Sequence, residues 1–222
     1  MMELYRRQEK DTASRAQVHP AITISREFGC EAYPVAEALK GLLEQQSGQS
    51  WTIMDKALLE EVAKHHQLSD KIVENIGKDK SRLLDEIIAT FAPQWQSDND
   101  HFRLLCRYML SLAEQGNCII VGRGSAIVAQ KLPNCFHFRI NGSHDFKVGS
   151  IAKRLAMPSD EAAALVEKSQ KQRDAFIHDY FNIDPHDLSY YHLTFNNDKN
   201  QPGQMARVIA DYVVGAVKEQ RR

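Results

Sequence analysis

The sequence predicts a three-layer α/β/α domain: a five-stranded parallel sheet, helices on both faces, and one polar helix set apart as a lid. Five short β-branched or apolar runs alternate with segments whose apolar residues recur at helical spacing. That alternation is the mark of strand–helix–strand units. One run, Cys118-Ile119-Ile120-Val121, is apolar without a break, as a strand covered on both faces must be.

The first strand is Ala21-Ile22-Thr23-Ile24-Ser25, bounded by Pro20 and Gly29. Pro34 stands where a helix can begin, and Val35, Ala36, Leu39, Leu42 and Leu43 mark its apolar face. Gly48 punctuates, and Trp51-Thr52-Ile53-Met54 is the second strand, with Trp51 a packing residue. Asp55 is placed to cap a helix carrying Leu58, Leu59, Val62 and Ala63. Residues 69–91 read as one or two helices broken at Gly77, and 93–99 as a loop in which Trp95 also packs. The cleanest stripe follows: Phe102, Leu105, Cys106, Met109, Leu112 and Ala113, ending at Gly116 before the third strand.

Gly122-Arg123-Gly124 closes that strand, and Ser125 is placed to cap a short helix before Pro133. Phe136-His137-Phe138-Arg139-Ile140 is the fourth strand, and Ser143 opens a helix through Leu155. A long charged helix runs from Ser159 to about Tyr180, with Asp160 and Glu161 against its N-terminal dipole. This polar insertion, about 156–186, is the lid. His192-Leu193-Thr194-Phe195 is the fifth strand, and Met205, Val208, Ile209, Tyr212 and Val213 mark the closing helix. Residues 1–20 form a polar, flexible arm with Arg6, Arg7, Lys10 and Arg15, and 21–222 a single domain.

Composition narrows the function. At 43% hydrophobic and 26% charged, the 222-residue chain is neither disordered nor fibrous. A net charge of −1 argues against binding DNA, RNA or an anionic membrane as its main task. Cys30, Cys106, Cys118 and Cys135 form no CxxC pair and read mainly as buried small hydrophobes. His65 and His66 are adjacent and point about 100° apart on a helix, so they chelate poorly, and no metal-ligand set is evident. The N-terminus lacks the apolar core of a secretory signal, and no stretch approaches the ~20 apolar residues of a membrane span. A cytoplasmic protein is expected.

In open parallel sheets ligands bind at the carboxyl ends of the strands. Arg123, flanked by glycines that allow close ligand approach, is the strongest candidate there. Its alternative is a structural pair with an acid. Arg26 lies at the end of the first strand and offers a bidentate phosphate donor, or pairs with Glu27 or Glu31 to hold the turn. Cys30, near a helix start, is either a low-pKa thiol or filler in a tight loop.

An ordered set of motifs completes the picture. It comprises Ile22-Thr23-Ile24-Ser25-Arg26-Glu27-Phe28-Gly29, Asp55-Lys56, Val121-Gly122-Arg123-Gly124, Phe146-Lys147-Val148, Lys171-Gln172-Arg173 and Tyr191-His192-Leu193-Thr194-Phe195-Asn196. Together they resemble the cytidylate-kinase-like family of P-loop kinases over about residues 21–217. The resemblance implies a kinase using ATP and Mg²⁺ to phosphorylate a nucleoside monophosphate or other small acceptor. It also implies roles. Residues 25–34, including Ser25, Arg26, Gly29, Cys30, Glu31 and Ala32, would be the phosphate loop. Asp55, Arg123 and Lys147 would meet the acceptor, and Lys171 and Arg173 would be catalytic lid cations, although both also fit a solvated face.

The loop departs from the usual pattern of glycines, a lysine and a metal-binding hydroxyl. Glu31 stands for a glycine, Ala32 for the lysine and Pro34 for the hydroxyl. Lys147 and Ser150 stand where the family often has arginines, and Gly124 where cytidylate kinases carry Asp. A Glu31 carboxylate ~4 Å from a phosphate charge costs ~1 kcal/mol in water and ~4 at an effective dielectric of 20; turned outward or onto Mg²⁺ it costs nothing. The other expectation is therefore a non-catalytic regulatory protein that binds a nucleotide or anion, or a protein partner instead. A sensor built on Arg26 and Arg123 alone is a third.

Overall fold

The computed structural model describes residues 19–55 and 99–220. The expected arm and the helices between Asp55 and the loop at 93–99 lie outside these residues. So do His65, His66 and Trp95.

Five strands form one all-parallel sheet in the order β2-β3-β1-β4-β5. They are β1 (Ala21–Arg26), β2 (Thr52–Met54), β3 (Cys118–Val121), β4 (Cys135–Asn141) and β5 (Leu193–Asn196). Around them lie α1 (Ala32–Ser47), α2 (Asn99–Gln115), α3 (Ser125–Val128), α4 (His144–Leu155), α5 (Ser159–Phe181) and α6 (Pro202–Gln220). β1 pairs Ile22 with Ile119 on one side and with Phe136 on the other. The chain leaves β1 toward one edge of the sheet and β4 toward the other, and this reversal opens a crevice at the strands' carboxyl ends.

Strand alternation sorts the core into two layers. Ile22, Ile24, Phe138 and Ile140 face α1 and α6, packing with Leu39, Met205 and Ile209. Ala21, Ile120 and Cys135 face α2 and α3, with Met109, Leu110 and Phe181. Each fully buried Ile or Phe contributes about 1.5–3 kcal/mol of hydrophobic stabilisation. α4 and α5 join through a smaller cluster, Val148 and Ile151 against Ala162 and Val166. The C-terminal turns of α5 pack Phe176, Ile177, Tyr180 and Phe181 on the α2 layer, so only part of the helix keeps the polar character its sequence predicts.

Helix ends follow local chemistry. Ser143 Oγ accepts from the Phe146 N–H at 3.2 Å and caps α4. Ser125, expected as a cap, is instead the first residue of α3, and its buried hydroxyl makes no cap bond. All four cysteines are free and buried, and Trp51 is buried as well. No described helix is long and apolar enough to cross a membrane.

Candidate functional site

The carboxyl ends of β1, β3 and β4 form the floor of a cavity of about 380 Å³, roofed by α5 and the segment after it. Among the described residues four arginines line it: Arg26 from β1, Arg123 after β3, Arg139 from β4 and Arg173 from α5. The carboxylates on its wall among the described residues are Asp174, Asp184 and Asp187. Asp174 accepts from Gln170 Nε2, Asp184 from the His186 N–H, and Asp187 from the Ser189 N–H, so each serves a local turn or helix contact.

Arg173 reaches down from α5. Its Nη1 donates to the Arg26 carbonyl at 3.2 Å, and its guanidinium lies over the Phe28 ring, 5.2 Å from the centroid. Arg123 has a left-handed backbone, φ 57°, and lies over Phe176 at 5.4 Å. The Arg26 guanidinium passes over Gly122, where a side chain would collide with it. Burial, then the charges of Arg173 and Arg123, push the Arg26 pKa down to about 9, against a smaller favourable effect of Asp55. Burial also lowers Arg173. Arginine stays charged near neutrality, so these shifts express burial first and neighbouring positive charge second, and a bound anion would offset both.

The turn between β1 and α1 is closed by protein groups. The Phe28 N–H donates to Gln170 Oε1 and the Glu31 N–H to Asn197 Oδ1, both at 2.8 Å. Glu27 Oε2 is held by Lys147 Nζ at 2.7 Å, so Glu27 pairs with Lys147 rather than with Arg26. Gly29 turns at φ 95°, with the start of α4 beside it; a Cβ there would stand 2.8 Å from that of Lys147. Gly29→Ala is therefore expected to cost about 2–3 kcal/mol in denaturant unfolding. A loss below about 0.5 kcal/mol would show that the turn moves freely away from α4. The Cys30 thiol is pushed up to about 12 by burial and by Glu27, which decides for filler over a reactive thiolate.

Ser25, Arg26, Arg123 and Arg173 thus share one cavity. Gly29, Cys30, Glu31 and Ala32 build the adjoining turn and the start of α1 without lining it. Lys147 is committed to Glu27. Lys171 is exposed, because two residues along a helix from Arg173 is about 200° around it. Asp55 follows β2, within electrostatic range of Arg26. The Phe181 ring fills the place a side chain at Gly124 would take, leaving no room there for an Asp. Sequence reasoning passed over Arg139, Gln170 and Tyr191. Period-two alternation in β4 was the available signal for Arg139, since Phe136, Phe138 and Ile140 face the opposite core layer.

A parallel sheet with a cation-lined cavity at its switch point is the class of α/β fold that takes an anionic ligand at the strands' carboxyl ends. The chain belongs to the cytidylate kinase-like family, whose model matches residues 21–199. It is similar to a cytidylate kinase of Methanopyrus kandleri, 24% identical over 160 residues, covering 68% of this chain and 81% of that protein. In fold it is similar to the crystal structure of an uncharacterized protein from Eubacterium ventriosum, at a TM-score of 0.68 and 20% identity, covering 89% of this chain and 99% of that one.

Proposed function

We propose that the chain is an ATP-dependent kinase that transfers the γ-phosphoryl group to a nucleoside monophosphate or another small acceptor, with α5 as its lid. The observation that carries this reading is the convergence of Arg26, Arg123 and Arg173 on one cavity beside the β1–α1 turn. Phosphoryl transfer needs little covalent help from protein; it needs positioning and positive charge around the equatorial oxygens. Arg173 comes from the roof and Arg26 from the floor, so closing α5 brings both charges onto one group. With Ala32 in the lysine's place and Lys147 committed to Glu27, Arg26 at the end of β1 is the cation that would substitute for it.

Among the described residues no group of three or more His, Cys, Asp or Glu is placed to hold a metal. Mg²⁺ in such enzymes is held largely by substrate phosphates with one or two carboxylates. Asp55, within electrostatic range of Arg26, would be one such carboxylate. The metal would supply charge neutralisation on the phosphates.

A second reading, a non-catalytic nucleotide- or anion-binding protein, is favoured by the Phe28 and Glu31 amides, already bonded to Gln170 and Asn197. Calorimetric titration of ATP, with and without Mg²⁺, separates the two. Micromolar, Mg²⁺-dependent binding followed by transfer to a member of a panel of monophosphates and small alcohols supports the kinase. Binding without transfer to any acceptor supports the second reading, and no heat at millimolar ATP from folded protein removes ATP from the account.

A further inference from the structure

We propose that Arg139, braced by Tyr191, is a specificity-determining residue that holds an oxyanion carried by the acceptor. This rests on the kinase reading for the word acceptor, but the anion site is a property of the cavity itself.

Arg139 is 8% exposed, sits in the middle of β4 between β1 and β5, and lines the cavity. Its Nη1 donates to Tyr191 Oη at a long 3.3 Å, and its guanidinium lies over the same ring at 5.5 Å. No carboxylate among the described residues stands within ion-pair distance of it. An arginine this deep without an acid is unfavourable unless something else satisfies its charge and its other N–H groups. The surrounding groups do not. Ser25, its register partner on β1, is neutral. His137, two residues back on the same face, is held neutral by burial. Asp184 and Asp187 accept from backbone amides of their own turn.

The geometry suits a ligand. The bond to Tyr191 Oη and the contact with its ring hold the guanidinium at the cavity wall, and a held planar fork is pre-organised for two parallel bonds to a phosphate or carboxylate. Tyr191 Oη accepts from Arg139, which leaves its own proton to donate to the same anion. The site is also apart from Arg123, the other arginine placed to meet the acceptor. β3, which leads to Arg123, lies two strands from β4, or about 10 Å. A neutral alcohol would leave Arg139 unsatisfied, so the cavity selects an acceptor that already bears a negative group.

The probe is inorganic phosphate, with acetate as the planar alternative, titrated calorimetrically into the full chain without ATP. Native protein is expected to bind one of them saturably. Arg139→Met is expected to weaken that binding at least about tenfold, and Tyr191→Phe about threefold. Arg139→Lys keeps the charge but loses the fork, and is expected to bind several-fold more weakly than native. Lys168→Met, which removes an exposed cation from α5, is expected to change nothing. Phosphate against acetate tells whether the group held is tetrahedral or planar. Should Arg139→Met not fold, Arg139→Lys and Tyr191→Phe decide. Unchanged affinity in the folded variants, or no binding of either anion by native protein, overturns the proposal. Weakened anion binding in a chain that transfers no phosphoryl keeps the subsite and removes the kinase reading.

Discussion

Arg26→Met is expected to unfold at higher denaturant concentration than the native chain while binding ATP at least about a hundredfold more weakly. The two effects have one cause. Arg26 is partly buried beside Arg173 and Arg123, and its pKa, pushed down to about 9, shows that burial and then those two charges disfavour its ionised form. Its guanidinium has no ion pair among the described residues to offset this. Methionine fills similar space without charge; replacing even a buried ion pair by apolar groups of similar volume gives up to about 1–4 kcal/mol, and Arg26 lacks that compensating partner. About 2 kcal/mol is expected here near neutral pH. ATP should stabilise the native chain against heat and leave Arg26→Met unmoved. A variant less stable than native would mean that Arg26 is held by favourable contacts, and that its role is to hold the turn.

The fold was legible because its signals are local. β3 read as a buried strand from four apolar residues in a row, and Ser143 as a cap from the chemistry of the first turn of α4. The strand order was not legible: short parallel strands carry no mark of their neighbours, and β3 lies between β1 and β2 although it follows both in sequence. The site was legible where a glycine pair or a strand end marked it, as at Arg123 and Arg26. It was not legible where packing decides direction. Arg173 and Lys171 look alike in sequence, yet one turns into the cavity and the other into solvent because α5 presents a single face to the sheet. Gln170 and Asn197 reach the β1–α1 turn across more than a hundred residues of chain, which no local pattern records.

Acid should destabilise the chain mainly through one buried side chain, His137. His137 lies between the sheet and the α2 layer, 3% exposed, with Nδ1 2.8 Å from Thr23 Oγ1 and no hydrogen-bond partner for Nε2 among the described residues. Burial, then the neighbouring His192, lowers its pKa to about 4, so the folded chain keeps it neutral where the unfolded chain, near 6.5, takes up a proton. Stability is therefore fully present above about pH 6.5 and falls as pH drops toward 4. Below about 4 both states hold the proton and the loss levels off at about 3 kcal/mol. His192 acts in the same direction, since burial lowers it too and its Nδ1 accepts the His137 N–H at 2.9 Å. Urea unfolding of native protein and His137→Phe from about pH 7 to 4 checks this. The variant carries a pH-independent deficit from the lost Thr23 bond, and most of the acid-dependent drop should be gone. An equally steep drop in the variant would assign the acid sensitivity to His192 or to carboxylates elsewhere.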